Sequence, residues 1–180
     1  MSLNIENKLN TYVETNKLIK FINSVNELKS VKETPVIIHN LDSIHTSRIQ
    51  RYGIYGGNIG LYQTENKVID IGVCNFLDVL NFNREMISLA LISGLIHEFR
   101  HAIQHRLMPT TFYNISIGKR LYYRKGEQYR EQFIEKDARK FTEKTINKYK
   151  WAISEIFEIS SEWEFNKDII YINGFELQFQ

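Results

Sequence analysis

The chain has 180 residues, 43% of them hydrophobic and 24% charged, which is enough to build a real core without covalent staples. Its single cysteine, Cys74, excludes an intramolecular disulfide and a cysteine-based zinc ribbon, and fits a reducing compartment. A formal net charge of +2 points to no particular partner.

The start, Met1-Ser2-Leu3-Asn4-Ile5-Glu6, lacks the basic residues and apolar stretch of a signal peptide. The apolar run from Ile87 to Ile96 is too short to cross a bilayer. The expectation is one cytoplasmic domain over residues 1–180, with no linker or repeat dividing it.

In chain order, Ile5, Leu9, Val13, Leu18, Phe21, Ile22, Val25 and Leu28 have helical spacing over residues 5 to 29. Thr34-Pro35-Val36-Ile37-Ile38-His39 reads as a short strand, followed by a helical or irregular piece through Ile49. Two stretches, Gly53 to Tyr62 and Lys67 to Ile71, flank a polar Thr64-Glu65-Asn66 turn and predict a hairpin. The glycines in the first arm mark it as an edge where another backbone approaches closely.

Asn83 can cap the start of a long helix, with Glu85 in its first turn and Pro109 beyond its end. Residues 110 to 120 read as loop. Helical spacing returns over 127 to 149, with Ile134, Ala138, Phe141, Thr145 and Tyr149 on one stripe, and a shorter helix covers 151 to 160. The chain closes with a hairpin, Ile169 to Phe179, around an Asn173-Gly174 turn.

One run carries chemistry: His97-Glu98-Phe99-Arg100-His101. Helix residues four apart stand one above the other, so His97 and His101 can close on one metal ion. Glu98 is turned about 100° from His97, where its carboxylate can reach a water at the metal without being a ligand. Composition alone yields roughly one such match per hundred chains of this kind, so context must decide. Here the context is a helix apolar nearly all round, with Met86, Leu89, Ala90, Leu95 and Ile103. Such a helix rarely carries two His, a Glu and an Arg unless they are paired or bound.

Catalytic zinc keeps three protein ligands and one open position. His105 lies two turns from His97, too far along the axis to share the ion, and at a helix end the dipole favours it as a cation. The metzincin pattern is absent, because Gln104 and Leu107 stand where it needs Gly and His. Cys74 lacks the sequence setting of a deformylase ligand.

A glutamate from the second long helix remains, Glu135 or Glu131. Glu135 is favoured because small Ala138, three residues on, lets its helix approach Ser93 and Gly94. Asp137 can accept the free N–H of a ligating His, or pair with Arg100.

These motifs resemble the small gluzincin zinc metallopeptidases of the ImmA/IrrE type and related phage and bacterial proteins. The shared pattern is a Gly-x-Tyr … Ile-x-Ile hairpin (Gly53 to Tyr55, Ile69 to Ile71), the His-Glu-x-x-His helix, and a Glu-x-x-Ala-x-x-Phe helix (Glu135 to Phe141). The likeness covers roughly residues 50 to 145. It implies an α+β, zincin-like fold: a small mixed sheet whose edge strand packs on the buried motif helix, and a second, Glu-bearing helix.

It further implies one Zn2+ per chain on His97, His101 and Glu135, Glu98 as general base, and a peptide or protein substrate. That substrate would lie along Gly56, Gly57, Ile59 and Leu61. Arg100, Asp137 or Tyr129 would support the ligands or the transition state, with Tyr122 and Tyr123 as further oxyanion candidates. Members of this group often act on a regulator such as a repressor.

Two rival readings use the same residues differently. One is an inactive zinc-binding domain that works by protein contact. The other is a nucleic-acid binder using Lys119, Arg120, Tyr122, Tyr123, Arg124, Lys125 and Arg130. Acidic Glu127, Glu131 and Glu135 follow immediately and argue against the second. Oligomeric state is left open.

Overall fold

The computed structural model describes residues 4–7, 12–39, 60–72, 84–116, 128, 131–166, 169–172 and 175–178. Their order is β1 (Ile5–Asn7), α1 (Thr15–Ser24), β2 (Val36–His39), β3 (Gly60–Gln63), β4 (Val68–Gly72), α2 (Arg84–Leu107), α3 (Pro109–Ser116), α4 (Phe133–Lys148) and α5 (Lys150–Phe157). The strands β5 (Glu164–Asn166), β6 (Ile169–Ile172) and β7 (Phe175–Gln178) follow. The class is α+β, with a mixed four-stranded sheet and helices.

That sheet runs β1-β2-β4-β3. β1 and β2 are parallel, as are β2 and β4, while β3 returns antiparallel to β4. Alternation fixes the faces: Val36, Ile38, Ile69 and Ile71 are buried on one side, while Ile37 and Asp70 are half-buried on the other. The β3–β4 hairpin matches the sequence expectation, and β3 is an edge of the sheet.

α2 passes through the middle of the molecule. Every residue from Met86 to Ile96 is buried, so this half of the helix has no solvent face. β3, β4, α3 and α4 pack around it. Beyond it α1 and α5 meet through Phe21 and Phe157, ring centroids 6.0 Å apart.

β5, β6 and β7 form a separate antiparallel sheet. It is tied to α4 by Asn147, whose side chain donates to the Phe165 carbonyl, and to α5 by Trp163, whose indole N–H donates to Ser154.

Four boundaries differ from the sequence reading. Ile5 lies in a strand paired with Val36, not in a helix. The two partners are 31 residues apart, and local spacing carries no trace of the pairing. Residues 109–116 are helical rather than loop: Pro109 opens α3 instead of merely ending α2, because its missing N–H is no loss at a first helical position. Among the described residues the second long helix starts at Phe133, with Glu131 and Gln132 in the turn before it. β5 is a third strand beside the expected C-terminal hairpin.

No helix among the described residues is long and apolar enough to cross a membrane. Asn83 and Asn173-Gly174 lie outside the described residues.

Candidate metal centre

The buried helix α2 delivers His97 and His101 from successive turns, as their spacing predicts. Glu135 comes from the first turn of α4, where the helix dipole favours a carboxylate. It is 2% exposed despite its charge. The three residues form a cluster able to hold a metal ion.

Three facing atoms make a tight triangle. His97 Nε2 and His101 Nε2 are 3.1 Å apart, His97 Nε2 is 3.3 Å from Glu135 Oε2, and His101 Nε2 is 3.5 Å from the same oxygen. Tetrahedral zinc with N and O ligands at 2.0–2.1 Å requires ligand atoms about 3.3–3.4 Å apart. The chain's own geometry therefore fits the group.

Converging electron pairs in a buried site call for positive charge. Burial opposes a charge on His101, but the Glu135 carboxylate outweighs it and lifts the imidazole to about 9. Burial likewise resists the Glu135 anion, and the two histidines overcome this, holding it well below the usual carboxylate range.

Glu98 takes a different direction. It is 5% exposed, and burial raises its carboxyl above the ordinary value against the pull of His101 and His97. One carboxylate oxygen accepts the backbone N–H of Tyr62 in the edge strand, at 2.6 Å. Gly60, two residues earlier, makes room for it: a Cβ there would stand 2.6 Å from Glu98 Cγ and 2.7 Å from Ile71 Cδ1. Sheet edge and motif helix thus meet at Glu98.

The same strand is held again one heptad along the helix. The Tyr62 hydroxyl hydrogen-bonds His105 Nδ1 at 3.0 Å, and the His105 ring stacks on Phe112 of α3. This corrects the expectation for His105. Burial, then the nearby Lys67 charge, lowers its pKa, so it serves as a neutral hydrogen-bonding partner and not as a cation on the helix dipole.

Arg100 points away from the triangle. Its Nε donates to Asp137 at 2.7 Å and its guanidinium lies 4.9 Å over the Phe141 ring. The expected Arg100–Asp137 pair is present.

Asp137 does not touch a cluster histidine. Gln104 stands between them, a residue that sequence reading passed over. Its side-chain oxygen meets His101 Nδ1 at 2.8 Å and its nitrogen donates to Asp137 at 2.7 Å. A glutamine three residues after His101 on a buried helix was the available signal.

Glu131 is not brought into the cluster. Its side chain is 60% exposed and pairs with Lys136. Leu61 lies in β3. Gly53, Tyr55, Gly56, Gly57, Ile59, Cys74, Tyr122, Tyr123, Tyr129 and the basic cluster of Lys119, Arg120, Arg124, Lys125 and Arg130 lie outside the described residues.

Residues 54–152 match the profile of a family described as a protein of unknown function, DUF3920, which is more than half of the chain. The chain belongs to the DUF3920 family. The matched span carries β3, β4, α2 and α4, hence every member of the cluster, Glu98 and Gln104. It leaves β1, α1, β2 and the C-terminal sheet of this DUF3920 protein outside. No curated protein and no solved structure matches the chain.

Proposed function

We propose that this protein is a zinc-dependent metallopeptidase, with His97, His101 and Glu135 as ligands and Glu98 as general base. The observation that carries the reading is the Nε2–Nε2–Oε2 triangle, 3.1 to 3.5 Å on a side, beside the buried Glu98 held by the Tyr62 amide of the edge strand. The likeness of the three motifs to small gluzincins supports the same class.

Zinc held by these groups supplies a Lewis acid that acidifies a water and polarises the scissile carbonyl. Glu98 takes the proton of the attacking water and passes it to the leaving amine. Burial raises the Glu98 carboxyl above its ordinary value, which favours its taking up the proton of the water. The peptide lies extended along the edge strand β3, by strand addition. The substrate is a protein or peptide, with a regulatory protein as the class that the resemblance favours.

The test is a pair of measurements on purified protein. Elemental analysis after zinc reconstitution should give about one zinc per chain, and Glu98→Gln should keep that zinc while losing peptide cleavage. Absence of zinc after reconstitution overturns the reading. A zinc-loaded wild type without peptidase activity would favour the alternative, a metal-binding domain that acts through protein contacts.

A further inference from the structure

We infer that Gln104 is the positioning residue of the metal centre, dictating which nitrogen His101 presents and tying that ring to the backbone beside Glu135. The inference rests on the metal-site reading above.

Gln104 is 1% exposed, so each of its polar atoms must find a partner inside the protein. Its amide has two hydrogens and one oxygen. The nitrogen donates to the Ile134 carbonyl at 2.8 Å and to Asp137 Oδ2 at 2.7 Å. A backbone carbonyl can only accept, and Asp137, bonded to Arg100 through both oxygens, is an ionised acceptor as well. Both hydrogens are therefore committed, and the amide cannot be turned round.

It follows that the oxygen faces His101 Nδ1, 2.8 Å away. Two acceptors do not bond, so Nδ1 carries a hydrogen. In the neutral ring the lone pair is then on Nε2, the atom that stands in the triangle with His97 and Glu135. A chain of four side chains, Arg100 to Asp137 to Gln104 to His101, thus selects the tautomer that can ligate a metal.

The second consequence is geometric. Ile134, whose carbonyl Gln104 holds, immediately precedes Glu135. One amide therefore links a ligand ring on α2 to the backbone next to the ligand on α4. Removing it frees the ring orientation and leaves the Ile134 carbonyl beside Glu135 without this donor, while the Arg100–Asp137 pair still ties the two helices.

The experiment compares wild type, Gln104→Leu and Gln104→Glu as full-length protein. Zinc affinity is read by competition with a chromophoric chelator, folding by circular dichroism, and the ligating nitrogen by 15N spectra of histidine-labelled, zinc-loaded protein. In wild type His101 should ligate through Nε2 with a protonated Nδ1.

Gln104→Leu should fold and bind zinc 10–100-fold more weakly. Gln104→Glu, which keeps an acceptor for Nδ1 and loses the link to α4, should retain Nε2 ligation with intermediate affinity. Wild-type zinc affinity in folded Gln104→Leu overturns the inference and leaves the metal site standing. Ligation of wild-type His101 through Nδ1 overturns it as well, even if the leucine variant does not fold. A wild type that binds no zinc overturns the metal site and this inference with it.

Discussion

At Gly60 the missing side chain has a direct counterpart in Glu98. A Cβ would stand 2.6 Å from Glu98 Cγ and 2.7 Å from Ile71 Cδ1, closer than real contacts allow. Either the strand lifts from the helix or the carboxylate leaves its place under the strand. Gly60→Ala should cost about 1–3 kcal/mol of stability, as overpacking of a closed site does. It should also lower any peptidase activity more than Leu61→Ala does. Urea unfolding and peptide-cleavage assays on the two variants check this, and equal effects would show that Gly60 has no special part.

Other residues show where sequence reasoning reaches. His97 and His101 were legible because helical spacing is a local property, and Glu135 was legible through small Ala138 beside it. Gln104 was not, since its role arises only where α2 and α4 meet.

Among elements, the contact of β3 with α2 has its own pH dependence. His105 accepts from or donates to the Tyr62 hydroxyl, and burial with Lys67 nearby depresses its pKa below the unfolded value of about 6.5. Below that value the unfolded chain binds the proton that the folded chain refuses. Stability therefore falls as pH drops through this window. Replacing His105 by Gln removes the proton-binding site from both states. Between pH 7.5 and 5 the wild type should lose more of its urea midpoint than His105→Gln; equal losses would refute the assignment.

The elements that escaped the sequence share a physical cause. β1 is a strand because Val36 pairs with Ile5, a partner 31 residues away. α3 was hidden because Pro109 closes one helix and opens the next, and a stop signal read from one side conceals a start. By contrast, β3 and β4 are joined by the short polar Thr64-Glu65-Asn66 turn, a local signal that could be read directly.

For the molecule as a whole, the cluster joins helices that are distant in sequence. α2 and α4 meet through His97, His101 and Gln104 on one side and Glu135, Ile134 and Asp137 on the other. A metal ligated by both would bind the folded state only, and so raise its stability by mass action. Zinc at 100 times its Kd should add about 2.7 kcal/mol, a rise of roughly 5–10 °C in Tm for a chain of this size. A chelator should reverse the rise. Glu98→Gln should show it in full, because that change leaves the ligands intact. Calorimetry with and without zinc decides, and a Tm indifferent to the metal would count against the cluster as a binding site.

The hydrogen bond from the Tyr62 amide to Glu98 gives the protein a built-in reporter. That amide proton faces an anion when the carboxyl is ionised and a much weaker acceptor when it is neutral. Its resonance position should therefore follow the state of one buried acid, through a backbone group that no substitution alters. An unmodified chain, labelled only with 15N, thus carries a gauge for the group on which the proposed chemistry turns.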